Sequence, residues 1–291
     1  MYAGQFWPII VSVRTIFGLL RRAFAAAVEH DCATVARGAA FSAILSFFPG
    51  LMVVASLLFS QNAEATVREF STVLGMVLPP EAYRLAAQYL EVEDFQTHSL
   101  LVLALLVAIW SATDAIVALM KGFRVVYRLP DAGSYLKTRA VALALLLMAG
   151  APLLFATLLL FFGEQIENRL LVRFWAASGW ILLAGKGLRW LVAVGTSVVV
   201  LAMVYRVAPN RRQRWRYAWP GAAVATSLWV AATLLFAWYA QNVARYRDLY
   251  GSLAATVVLL LWMYMLSLIV LVGCEFNAVY ERSAVGKGQR D

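Results

Sequence analysis

Charge is scarce in this chain of 291 residues. Charged residues make up 14% and hydrophobic residues 63%, against about a quarter and about half in soluble proteins. That balance excludes an ordinary soluble domain. Histidine and cysteine are nearly absent, with only His30, His98, Cys32 and Cys274. No His/Cys/Asp cluster has metal-ligand spacing, so neither a metal centre nor another cofactor is expected. A glycine-rich phosphate loop is missing too, since Gly286-x-Gly288 sits in a polar tail. The acids are scattered over loops and separate apolar runs. Metal-dependent cleavage of RNA needs them clustered, so no enzymatic activity is expected. The net charge of +9 invites a nucleic-acid reading, but loop arginines that orient a membrane protein explain it better. No nucleic-acid partner is expected. The two cysteines fall near the same-side ends of different apolar runs, and a disulfide is not expected in a reducing compartment. The N-terminal apolar stretch is broken by Arg14 and lacks a small-residue cleavage site, so no cleavable signal is expected.

What the chain has is length of apolar sequence. A basic loop with Arg206, Arg211, Arg212, Arg214 and Arg216 leads into 28 uncharged residues, 217–244. After the short polar joint Arg245 to Asp248 come 26 more, 249–274. Each run exceeds the roughly 20 residues a helix needs to cross a bilayer core. The pattern predicts an all-α polytopic membrane protein of six transmembrane helices, with an N-terminal interfacial helix and a short helical extracytoplasmic cap. Residues 1–35 form a cytoplasmic, interfacial amphipathic segment in this reading. In it, Arg14, Arg21 and Arg22 oppose a face of Phe6, Ile10, Phe17, Leu20 and Phe24. Residues 36–280 form the transmembrane domain, with spans at about 38–60, 99–120, 140–163, 187–206, 217–243 and 250–277 and the cap at 61–98. A further short interfacial helix is expected around 174–184, and 281–291 is a cytoplasmic tail. With the N-terminus inside, 17 of the 25 basic residues lie on inner segments and 8 on outer ones. Both termini are therefore expected in the cytoplasm.

Several short motifs recur in an order that resembles a known family. They are Tyr205-Arg206 with Pro209-Asn210-Arg211-Arg212, Pro220-Gly221, Tyr250-Gly251-Ser252, and Gly273-x-Glu275-x-Asn277. Upstream lie Ala39-Ala40-Phe41, Ser46-Phe47-Phe48-Pro49, Trp110-Ser111 and Val126-Tyr127. Together they resemble the YihY/BrkB family of bacterial inner-membrane proteins, once labelled ribonuclease BN. One departure is Arg124, where the family often shows Asn. The resemblance implies an inner-membrane, multi-pass protein, and links some members to handling of envelope lipid or lipopolysaccharide.

The chemistry-bearing residues are few. Asp114 is the single charge in its span, and an acid there costs about 2.5–3.5 kcal/mol on insertion scales. Trp110 lies one helical turn earlier on the same face. Asp114 reads either as a coupling or substrate-orienting carboxylate, or as a structural acid paired with Arg37 or Arg139. Ser46 and Pro49 mark a helix interruption of the kind that lines transporter paths, or else a tolerated bend. Glu275 with Asn277 reads as an interfacial ion pair with the 206–216 arginines, or as a gate. Arg211, Arg212, Arg214 and Arg216, interleaved with Trp215, Tyr217 and Trp219, are candidates for binding an anionic lipid headgroup.

Three functions fit these features. The first is a carrier or flippase-like transporter of an amphipathic, lipid-like envelope solute. The second is a secondary cation exchanger of the Na+/H+ type using Asp114, and the third is an envelope scaffold that transports nothing. Membrane lipids are the expected partners, and the composition leaves room for a homo-oligomer.

Overall fold

The computed structural model describes residues 13–59, 83, 98–130, 134–152, 179–209, 211, 213–242 and 254–287. Among these the regular structure is helical, without a strand. Seven helices follow one another: α1 (Val13–Glu29), α2 (Cys32–Phe59), α3 (His98–Val126), α4 (Tyr135–Pro152), α5 (Gly179–Val207), α6 (Trp215–Asn242) and α7 (Ala254–Lys287). Helices α2 to α7 are each long and apolar enough to cross a membrane. A helix meets all its backbone hydrogen bonds within itself, as hydrocarbon requires. Apart from Tyr83, the expected cap falls outside the described residues until His98 opens α3.

The helices outrun the uncharged stretches. α3 carries Lys121 and Arg124 before it ends, and α7 continues through Glu281 and Arg282 to Lys287. Charge at a membrane surface is solvated and gives a helix no reason to stop. What ends α3 is a backbone cap. Arg128 takes a left-handed φ of 53°, Leu129 N donates to Arg124 O at 2.9 Å, and Arg128 N donates to Val125 O at 3.0 Å. These two bonds are the Schellman pattern, and Pro130 follows it. The same economy joins α1 to α2: only His30 and Asp31 separate them, with Asp31 at φ 48°. α5 is one helix from Gly179, where a separate interfacial helix is expected up to residue 184.

α7 is the hub. It packs on α1, α2, α3 and α6, while α2 lies along α3 and α5 along α6. The shared core is rich in small residues, including Ala36, Ala202, Ala208, Ala218, Ala222, Ala225 and Ala278. Without water to drive helices together, close backbone approach and dispersion hold a membrane bundle. Leu103, Leu106, Leu191, Leu234 and Leu235 point outward instead, an apolar exterior suited to lipid. On α1 the packed face is Leu19, Ala23 and Ala27, with Leu20 against the same small cluster as Phe276. Phe17 and Phe24, expected beside Leu20, are exposed on the outer side with Arg21 and Arg22. At about 100° per residue Phe17 falls about 40° and Phe24 about 60° from Arg21.

Candidate functional site

Asp114 lies twelve residues from either end of the apolar stretch Val102–Val126. Its carboxylate is held from two helices. Ser42 Oγ of α2 donates to Oδ2 at 2.9 Å, and Arg139 Nη1 of α4 donates to Oδ1 at 3.1 Å. The Arg139 guanidinium also stacks 4.0 Å from the Trp110 ring centroid and donates to Trp110 O at 2.7 Å. A charge-assisted bond and a cation–π contact thus fix one side chain. Of the two arginines expected as partners, Arg139 takes the role. Arg37 spends its donors on its own helix, at Ala33 O and Thr34 Oγ1. The Asp114 side chain keeps 54% exposure although its partner Arg139 keeps 13%. The acid is paired but not enclosed.

Ser46 does not join this cluster. Its hydroxyl donates to Ala43 O at 2.8 Å within α2, and Ser42, one turn earlier, is the group that reaches Asp114. Pro49 does not break α2 either, since the helix runs unbroken from Cys32 to Phe59. Loss of one backbone donor is absorbed without ending the helix.

Glu275 and Asn277 lie deep in the bundle, both with no exposure. Glu275 does not make the expected interfacial pair with any of the described arginines of 206–216. His30 Nδ1 lies 2.5 Å from its Oε1, and Cys32 Sγ lies 3.9 Å from the same oxygen. Among the described residues Oε2 has no hydrogen-bond partner. The arginine's acid is Glu281, which takes a hydrogen bond from Arg211 Nη2. Asn277 is a cross-brace: its Oδ1 accepts from Gly221 N at 2.7 Å and its Nδ2 donates to Ala218 O at 3.1 Å. Both groups belong to α6, so the side-chain amide staples α7 to the start of that helix.

The basic loop divides. Arg211 also stacks 4.0 Å from the Tyr127 ring centroid, and Gln213 Nε2 donates to the Tyr127 hydroxyl at 3.1 Å. Burial pushes that hydroxyl well above its ordinary range, so it stays a neutral phenol. Arg282 Nη2 donates to Val126 O at 3.1 Å and completes the tie between the ends of α3 and α7. Arg214 and Arg216 are exposed, and Arg212 lies outside the described residues. Arg206 stacks 4.3 Å from the Trp215 ring centroid.

The family model described as virulence factor BrkB matches residues 23–291, from within α1 to the C-terminus. This chain belongs to the BrkB family. A UPF0761 membrane protein of Tolumonas auensis is 30% identical over 274 residues, 90% of this chain and 87% of the relative. A ribonuclease-like protein of Bacillus subtilis, YfkH, is 28% identical over 273 residues, 90% of this chain and 95% of the relative. An Alteromonas mediterranea UPF0761 membrane protein is 41% identical over 93 residues, 32% of each chain. No solved structure matches. The UPF0761 relatives are named as membrane proteins and the Bacillus relative as ribonuclease-like. Among the described residues, no group of three His, Cys, Asp or Glu side chains could hold a metal ion.

Sequence reasoning missed His30, Ser42, Cys32, Tyr127, Gln213 and Glu281 as parts of these clusters. His30 carried a usable signal, because a lone histidine in a two-residue joint stands beside whatever the joint packs on. Glu281 was hidden by ending the last helix at 277. Once α7 continues, Glu281 comes six residues, about one and two-thirds turns, beyond Glu275.

Proposed function

We propose that this BrkB-family protein is a carrier of an amphipathic, lipid-like envelope solute. The observation that supports this reading is the exposed, paired acid in the middle of an apolar helix. Asp114 is neutralised by Arg139 yet keeps more than half its side chain uncovered. A bare carboxylate facing lipid tails is costly, so such a face is suited to water or to a polar headgroup. A zwitterionic or anionic headgroup can exchange partners with an Asp–Arg pair. A lone cation competes with a guanidinium already in place, which favours a lipid-like solute over the exchanger. In this reading the protein sits in the bacterial inner membrane with both termini in the cytoplasm.

Two experiments test the proposal. In liposomes carrying a fluorescent phospholipid, purified protein should speed the movement of the probe between leaflets, read by quenching from outside. Asp114→Asn keeps the shape and one acceptor oxygen for Arg139 but loses the charge and replaces the oxygen that accepts from Ser42 with an NH2 donor. It should slow the rate by about tenfold or more, as expected for one charge-assisted hydrogen bond. Protein-containing vesicles that behave as empty ones with both neutral and anionic probes would refute carriage, whereas proton movement driven by a sodium gradient would favour the exchanger. For orientation, cysteines placed within 61–98 should react with an impermeant thiol reagent on intact cells, and a cysteine at 214 should not. The opposite pattern inverts the topology.

A further inference from the structure

The candidate spans in α5 and α6 end and begin at Val207 and Trp215, so the connection between them lies at a membrane surface. Four features gather there. Arg206, one residue from the end of α5, stacks on Trp215, the first residue of α6. Trp215 and Trp219 lie one turn apart with ring centroids 6.4 Å from each other, and both are exposed. Arg214 and Arg216 flank Trp215 and are exposed as well, Arg216 with its guanidinium 4.6 Å from the Tyr217 ring centroid. Among the described residues the Nη1 of Arg206 is buried without a hydrogen-bond partner. Buried donors are normally satisfied, so this guanidinium has capacity for an acceptor that the described side chains do not supply. Arg211 Nε is likewise buried without a partner among the described residues, but the Arg211 guanidinium is already held between Glu281 and the Tyr127 ring.

We infer that Arg206, Arg214 and Arg216, with Trp215 and Trp219, form a seat for the phosphate headgroup of an anionic phospholipid in the leaflet on this side. The arginines supply paired donors that match a phosphate. The tryptophans supply amphipathic rings of the kind that sit at headgroup depth, which a free anion would not use. Committing Arg211 to the fold narrows the headgroup set expected from sequence and adds Arg206 to it. The seat does not depend on the carrier reading, since a lipid can bind here whether or not any solute crosses.

The test uses the purified full-length protein in detergent, titrated with phosphatidylglycerol or phosphatidylcholine and read by native mass spectrometry. The wild type should prefer phosphatidylglycerol. The double variant Arg214→Gln/Arg216→Gln changes two exposed side chains and should lower that affinity roughly 30-fold, the loss of two basic residues at a surface. Arg206→Gln should lower it by about fivefold. Binding of phosphatidylcholine should not change in either variant, and raised salt should narrow the difference. Equal wild-type affinity for the two lipids overturns the inference. So does unchanged phosphatidylglycerol binding by the double variant, which keeps the test informative if Arg206→Gln fails to fold. Displacement of phosphatidylglycerol by millimolar inorganic phosphate would show an anion site and overturn the lipid assignment.

Discussion

Replacing His30 with alanine should lower the stability of the bundle by about 1–3 kcal/mol, the range for leaving a buried polar group without its hydrogen-bond partner. Glu275 has no exposure, and His30 Nδ1 at 2.5 Å is its one close partner among the described residues. Without the imidazole, one carboxylate oxygen retains only Cys32 Sγ at 3.9 Å and the other remains without a partner. The His30 side chain is 13% exposed. Water entering beside it would offset part of the loss and place the effect toward the low end. The thermal midpoint of the purified protein in a fixed detergent should fall by about 3–6 °C. A second substitution decides whether the cost is electrostatic. In Glu275→Leu/His30→Leu no charge is left buried, and apolar replacement of both partners can be close to neutral. The double variant should therefore be more stable than His30→Ala. A midpoint for His30→Ala within a degree of wild type would show that the pair does not hold α1 to α7.

The pair also shows where sequence stops speaking. Spans announce themselves because hydrocarbon tolerates few charges, so run length alone locates α2, α6 and α7. Helix ends do not, because Lys121, Arg124, Glu281 and Arg282 are as comfortable in a helix at the membrane surface as beyond one. That blurring misplaced Glu275, which reads as the last acid of a span and lies instead twelve residues before α7 finishes among the described residues. Partners were legible where the choices were few. Asp114 had two candidate arginines, and Arg139 takes it. They were illegible where the partner is a residue type that ordinarily needs no explanation. Ser42 competes with every other serine on α2, and nothing local distinguishes it from Ser46. The hydroxyl that reaches across is chosen by the packing of α2 on α3.

The motif Gly273-x-Glu275-x-Asn277 gains a physical reading from the same packing, and its glycine gives the sharpest prediction. Residues 273 and 277 are four apart and share a face of α7, while residue 275 is rotated about 200° away. Gly273 and Asn277 accordingly meet α6, and Glu275 turns toward His30 and Cys32. A methyl group at Gly273 would come 2.7 Å from Ala225 Cβ and press on the Tyr205 hydroxyl and Gly221 O. The Tyr205 hydroxyl is not free to yield, because it donates to Val270 O at 2.8 Å and its side chain is fully buried. Helix propensity alone would make glycine to alanine stabilising by about 1 kcal/mol. Here the sign should reverse, with Gly273→Ala costing about 3 kcal/mol, at the upper end of ordinary overpacking because backbone is among the atoms in the way. Gly18 in α1 is the control, since nothing lies within 4 Å of the Cβ it would gain. Gly18→Ala should leave the thermal midpoint unchanged or raise it by a few degrees. If Gly273→Ala matches Gly18→Ala, then α6 and α7 do not cross as closely as Gly221 and Gly273 require.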